Sequence, residues 1–275
     1  ISHSFCANFI RGQAGYLSEN GYKVYIVSAD GPEVRKVATE EKVELIVVDF
    51  AREIAPWQDL VCLFKLLRII RKIKPDIVNA GNPKSGLLFM IACKLFKNTR
   101  SIFTLRGLRS DTLVGVKRSI VVFMERLTCW LSEKIIVISP SLRDHAISTN
   151  ILEEKKSVVL GSGSSNGVNL SIFSPSEIIE KQAKEFRAEL GIKPRDFVIG
   201  FAGRLTKDKG IVELFQGYKL IKDNYPNLKL VLTGPIEYDD PISDEVMTEM
   251  QNDPNVFMPG KSAFIASVLF SYDVL

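Results

Sequence analysis

The chain has 275 residues, enough for one large domain or two of ordinary size. Charged residues at 25% beside 46% hydrophobic ones give the balance of a folded globular protein, which excludes disordered and fibrous classes. A net charge of +4 is too small to argue for nucleic acid, and no RNP, zinc-finger or helix-turn-helix pattern adds to it, so no nucleic-acid partner is expected.

In chain order, the first strand signals are KVYIVSA (23–29) and VELIVVD (43–49). A helix then fits residues 56–74. Pro56 suits its first turn, Leu60, Leu63, Phe64, Leu67 and Ile70 recur at helical spacing, and Pro75 stops it. Lys65, Arg68 and Lys72 fall on the opposite side, with Arg71 and Lys74 close by and no acid among them. This run is either a solvated helix face or a docking surface for anionic lipid headgroups. Strand signals continue with DIVNAG (76–81), SIFTL (101–105), KIIVIS (134–139) and SVVLG (157–161). The longest apolar run, GLLFMIAC, is too short to cross a bilayer, and no signal peptide is visible.

A break follows at GSGSSNGVNLSIFSP (161–175), rich in Gly, Ser and Asn and closed by proline, as a linker is. Beyond it lie FVIGFAG (197–203), LKLVLTG (228–234) and NVFMPG (255–260). All these runs are nearly continuous in apolar residues, as strands covered on both faces are, and helical patterns alternate with them. The class is therefore α/β with parallel sheets. The boundary falls near residue 166, giving domains 1–165 and 166–275 with one Rossmann-like sheet each. Ligands of open α/β sheets bind beyond the carboxyl ends of the strands, so a cleft between the two carboxyl edges is the expected site.

Four cysteines, Cys6, Cys62, Cys93 and Cys129, are widely spaced, and the last three lie in apolar stretches, which predicts buried free thiols. The two histidines, His3 and His145, are far apart in sequence. Neither a metal site nor a Ser-His-Asp triad is expected. His145 and Trp130 read as core or surface residues.

The densest chemical signal is GFAGRLTKDKG (200–210), between a strand and the helical pattern IVELFQGYKLIKDNYP, whose inward stripe is expected at Ile211, Leu214, Phe215, Tyr218 and Ile221. A helix amino end offers unpaired N–H groups and partial positive charge. Gly203 permits close backbone approach, while Arg204 can grip two phosphate oxygens and Lys209 adds a mobile charge. A diphosphate fits these donors; the alternative is a basic surface loop beside an unrelated site. No Walker-type G-x-x-x-x-G-K-[ST] or strand-borne G-x-G-x-x-G is present.

The G-R-L-x-x-x-K-G pattern after an apolar strand, preceded by NGVNLSIFSP (166–175), resembles glycosyltransferase family 4, retaining enzymes of the GT-B fold that use nucleotide sugars. RGQAGYLSENGYKVYIVS, KPDIVNAGNPKSGLL, VISPSLRD, LVLTGP and YDVL follow the order of elements in bacterial members that build capsule, exopolysaccharide or O-antigen on a lipid carrier. The resemblance implies two Rossmann-like domains facing a cleft and a nucleotide-diphosphate sugar, commonly UDP-linked, as donor. It also implies a lipid-linked or saccharide acceptor, no cofactor or metal, and a cytoplasmic location at the inner face of the plasma membrane. Arg204 and Lys209 would hold the donor diphosphate, with Gly203 and Gly234 beside it, and Asn166 and Gly167 would shape the interdomain crossing. Asn82, Lys84 and Ser85 follow a strand end in the first domain and are candidates for the acceptor side.

Two departures from the pattern matter. Arg106 stands where many relatives carry the histidine of T-x-H-G; it is expected either to meet a phosphate of a lipid-diphosphate acceptor or to be a structural cation. Asn169 replaces the usual aspartate of N-G-V-D. Both ends are expected to be cut: the first strand and its glycine-rich loop, and the E-x7-E segment that contacts the donor, do not occur in these 275 residues. The chain alone is accordingly expected not to transfer sugar. Competing readings are a nucleotide-sugar-binding fragment without activity and a UDP-sugar 2-epimerase of the same fold.

Overall fold

A computed structural model of the chain describes residues 4–50, 55–237 and 241–275; His3 lies outside them. The chain divides into two compact units, Ile1–Gly167 and Val168–Leu275.

In the first unit a 3₁₀ turn (Ser4–Ile10) and α1 (Gln13–Glu19) lead into β1 (Tyr25–Ser28), α2 (Pro32–Glu40), β2 (Glu44–Val47) and α3 (Pro56–Ile73). There follow β3 (Ile77–Ala80), α4 (Pro83–Cys93), β4 (Arg100–Leu105), α5 (Gly115–Leu131), β5 (Lys134–Val137), α6 (Pro140–Ser148) and β6 (Ser157–Val158). Every pairing is parallel, in two sheets of order β1-β2 and β3-β4-β5-β6. Parallel neighbours need crossovers, which the helices supply. Proline opens α2, α3, α4 and α6, where its fixed φ suits the first turn and its missing N–H has no intrahelical acceptor to lose. α4 is apolar nearly all round and lies between α3 and α5; its Leu88, Phe89, Met90 and Cys93 meet Phe103, Leu105, Ile135 and Val137 of the sheet in the main core.

The buried face of α3 differs from the sequence expectation. Cys62, Leu66 and Ile70 are buried, whereas Leu60 and Phe64 are exposed on the side of the cations. The helix is apolar over more than the arc that α4 covers, so contact selects one of two possible stripes. Cys62, Cys93 and Cys129 are buried free thiols, and desolvation pushes the last two up to about 12. The SVVLG signal reduces to the two-residue β6.

The second unit contains α7 (Leu170–Phe173), α8 (Glu177–Glu189), β7 (Phe197–Ala202), α9 (Ile211–Ile221), β8 (Leu228–Thr233), α10 (Asp244–Asn252), β9 (Val256–Gly260) and α11 (Ile265–Phe270). Its parallel sheet runs β7-β8-β9, and Val274 bridges to Ile199 on the other edge of β7. Ile211, Phe215 and Tyr218 are buried against Leu228, Leu230 and Leu232; Ile221, expected inward, is exposed where α9 ends.

Candidate functional site

Between β7 and α9 the chain crosses the carboxyl edge of the second sheet. The strand ends stay paired there: Gly203 N–H donates to the Thr233 carbonyl at 2.9 Å, Gly234 N–H to the Gly260 carbonyl at 2.9 Å, and Leu205 N–H to the Pro235 carbonyl at 2.9 Å. Gly234 has φ +148°, and a Cβ on it would lie 1.7 Å from the Gly203 carbonyl oxygen. A Cβ on Gly203 would meet the Phe201 ring at 2.9 Å. These two glycines therefore let adjacent backbones close upon each other at the lip of the sheet. A 3₁₀ turn, Lys207–Lys209, then passes through Gly210 at φ +73° into α9.

Arg204 and Lys209 come together on that lip. Arg204 Nη2 and Lys209 Nζ lie 3.9 and 3.8 Å from the same atom, Asp208 Oδ2. Arg204 Nη1 also pairs with Glu237 Oε2 at 2.9 Å. Both cations are about half exposed, at 49% and 46%, so another anion can reach them. The buried Thr206 hydroxyl hydrogen-bonds to Asp208 and, with the charges of Lys209 and Arg204, holds its carboxyl below the usual range against opposing desolvation. Two cations converging on one oxygen are close enough together for a ligand with several anionic oxygens to reach both. Asp208 and Glu237 were missed by sequence reasoning. Asp208 was visible within TKDKG as the acid between two lysines. Glu237 is distant in sequence, and only the parallel run of 203–206 beside 234–237, with its Leu205–Ile236 bridge, brings it to Arg204.

At the carboxyl edge of the first unit, Arg106 is a bracket. Its Nε donates to Ser165 Oγ at 3.1 Å, Nη1 to the Gly81 carbonyl at 3.4 Å and Nη2 to the Phe9 carbonyl at 3.5 Å, with the guanidinium over the Phe9 ring. Desolvation lowers its pKa, and among the described residues no carboxylate pairs with it. Asn82 Nδ2 donates to Cys6 Sγ at 3.3 Å, and Asn166 Nδ2 to the Asn8 carbonyl at 3.2 Å. Gly167, at φ +69°, accepts a turn that its N–H fixes on Ser164 Oγ at 3.0 Å. Lys84 and Ser85 are turned into the fold. Lys84 Nζ is 2.7 Å from Asp59 Oδ1 in a mostly buried pair joining α4 to α3, and Ser85 is fully buried. Lys65, Arg68 and Lys72 are exposed along α3. His145 Nε2 lies 3.1 Å from Asp111 Oδ1 on the surface, and Trp130 is exposed. Among the described residues no cluster of His, Cys, Asp or Glu is placed to hold a metal ion, and no helix is long and apolar enough to cross a membrane.

The family model described as Glycosyltransferase Family 4 matches residues 7–171, more than half of the chain. The chain belongs to that family. A second model, Glycosyl transferases group 1, matches residues 182–271 of this family 4 chain and so includes the Arg204–Lys209 loop. Among curated relatives, the capsular polysaccharide biosynthesis glycosyltransferase CapM of Staphylococcus aureus is 36% identical over 90% of this chain and 63% of its own length. The UDP-Gal:alpha-D-GlcNAc-diphosphoundecaprenol alpha-1,3-galactosyltransferase of Escherichia coli is 25% identical over 83% of this chain and 58% of its own. The chain thus spans 58–63% of the length of these two relatives. Among solved structures, Anabaena Alr3699/HepE in complex with UDP-glucose has a TM-score of 0.73 at 14% identity, over 99% of this chain and 69% of that one. The UDP-GlcNAc 2-epimerase from Neisseria meningitidis bound to UDP-GlcNAc has a TM-score of 0.63 at 16% identity, over 98% and 73%. Identities this low speak to fold alone: the family 4 chain has the α/β, parallel-sheet architecture of the GT-B class.

Proposed function

We propose that this family 4 chain carries the donor-binding part of a glycosyltransferase of cell-surface polysaccharide synthesis. It moves a sugar from a UDP-sugar to a lipid-linked or saccharide acceptor with retention, on the cytoplasmic side of the membrane. The observation that carries the reading is the convergence of Arg204 and Lys209 on a single oxygen at the carboxyl end of β7 and the amino end of α9. The relatives' names and the UDP-glucose in the Anabaena structure support the choice of donor and product.

In this reading the acceptor hydroxyl oxygen bonds to the anomeric carbon on the face from which the diphosphate departs. The carbon–oxygen bond to the diphosphate breaks, and the hydroxyl proton passes to the departing oxygen. Negative charge grows on the diphosphate, where the guanidinium and ammonium stabilise it more in the transition state than in the ground state. Gly203 and Gly234 let the backbone approach the diphosphate; Arg106 and Asn82, at the carboxyl ends of β4 and β3, are the acceptor-side groups; Asn166 and Gly167 shape the passage between the units. Interconversion of a UDP-sugar, the epimerase alternative, would need acid–base groups beside the donor; His145, one of two histidines in the chain, pairs with Asp111 at 3.1 Å.

Calorimetric titration with UDP, UMP and uridine tests the donor seat. UDP is expected to bind tightest and to lose affinity in Arg204→Ala and Lys209→Ala. Equal affinities for UDP and uridine, or two variants that bind UDP as the parent does, would remove the loop from the site.

A further inference from the structure

α5 buries a carboxylate that the donor loop does not use. Glu125 is 7% exposed, and among the described residues no cation pairs with it. Its partners are donors of the 3₁₀ turn Arg109–Thr112, which follows β4. Oε1 accepts from the Arg109 N–H at 2.7 Å and from the Ser110 N–H at 3.3 Å, and Oε2 accepts from the Ser110 hydroxyl at 2.7 Å. Successive backbone N–H groups of a turn form a concave seat for an anion, and a carboxylate this buried is tolerated only where such donors replace its water. The same turn meets α6 through Asp111 and His145, but that pair is exposed and weak. Glu125 is the buried polar tie between the turn and α5.

Between β4 and the turn lies a short arch. Leu105 and Leu108 are buried in the main core, and only Arg106 and Gly107, between them, leave it. One foot of the arch is held by strand pairing, with Leu105 beside Val137. The other is held by Leu108 and, just beyond it, by Glu125. From the arch Arg106 reaches Ser165, Gly81 and Phe9 at 3.1, 3.4 and 3.5 Å. The last two lie near the limit of a hydrogen bond, so a displacement of about 0.5 Å at the arch would part them. We propose that Glu125 is a positioning residue: by seating the turn after β4 it sets the place of Arg106, and so holds the start of the linker, at Ser165, against the carboxyl edge of the first sheet. The consequence for sugar transfer rests on the acceptor-side reading of Arg106 given above; the mechanical coupling from Glu125 to Ser165 does not.

Nuclear magnetic resonance of the whole chain tests the coupling through two reporters, the Arg106 Nε–H bonded to Ser165 Oγ and the Gly167 N–H bonded to Ser164 Oγ. Glu125→Leu leaves three donors without their acceptor, and solvent exchange at both reporters is expected to rise about tenfold, the equivalent of one lost hydrogen bond. Glu125→Gln should restore the parent's rates, because its amide oxygen can accept both N–H groups while its NH2 donates to a rotated Ser110 hydroxyl. Ser110→Ala removes one of the three donors; it should give a smaller rise and serves where Glu125→Leu does not fold. A urea midpoint that falls while both reporters exchange as in the parent would make Glu125 purely structural and overturn the proposal. Glu125→Gln exchanging as fast as Glu125→Leu would overturn it too. UDP affinity should be unchanged in all three variants, because the donor loop lies in the second unit. Loss of UDP binding in the parent would refute the donor seat without touching this coupling, and unmoved reporters would refute the coupling without touching the donor seat.

Discussion

Glu237→Gln separates the two roles that the geometry gives to Arg204. In the free chain its guanidinium rests on Glu237 at 2.9 Å, with both side chains partly exposed. An exposed pair of this kind contributes about 0.2–1 kcal/mol to folding, so the substitution should leave stability nearly unchanged. A bound diphosphate meets the same carboxylate as a repulsive neighbour. For two ligand charges roughly 6 Å away in a water-like dielectric, Coulomb's law gives about 1.4 kcal/mol, or about tenfold in affinity. Glu237→Gln is thus expected to tighten UDP binding up to about tenfold at low salt, the gain shrinking toward nothing as screening shortens the range of the repulsion. Arg204→Ala should move the other way, by about ten- to a hundredfold, for loss of a charge-assisted contact. Titration calorimetry with UDP at two salt concentrations reads both. Weaker binding in Glu237→Gln would refute the repulsive role and show that the carboxylate instead orients Arg204 for the ligand.

The two glycines at the sheet's lip should differ. Gly234→Ala drives a Cβ into a fixed carbonyl and should cost about 3 kcal/mol or more, whereas Gly203→Ala meets a phenyl edge that can shift and should cost about 1 kcal/mol. Urea midpoints compare them, and equal losses would contradict the geometry. Asp253 is buried, and desolvation alone would raise its pKa, but the Lys222 ammonium at 2.6 Å and the Asn255 N–H hold it below the ordinary range. A depressed folded pKa adds stability above the unfolded value of about 4, and that contribution is lost as pH falls through the lower folded value. Asp253→Asn should therefore lower stability by about 1–3 kcal/mol at neutral pH and flatten the loss below about pH 4, as acid unfolding curves would show.

All nine strand signals correspond to strands, because a parallel strand buried by helices must be an almost unbroken apolar run, and that is written locally. Pro56, at the start of α3, was legible for the same reason, whereas the prolines that open α2, α4 and α6 were recognised only in the structure. What depends on a neighbour was less so. α3 carries enough apolar residues for two stripes, and only its contact with α4 shows that Phe64 lies outside. The cations at 204 and 209 could be read from the loop, but their partner Glu237 is delivered by strand pairing 33 residues on, which no local pattern encodes. Likewise Arg106 reads as an isolated cation, although its three donors tie together segments that are far apart in the chain.

In the proposed donor seat, Asp208 and Glu237 would also bear on selectivity. A bare trio of Arg204, Lys207 and Lys209 would capture any passing polyanion, from inorganic phosphate to nucleic acid. With two carboxylates already occupying the neighbourhood, the loop's formal charge falls to a single positive unit. A visitor must then displace internal counterions before it gains anything, so monoanions are poorly rewarded and a multiply charged pyrophosphoryl group is favoured. The acids act as a threshold that sets how much charge a ligand has to bring.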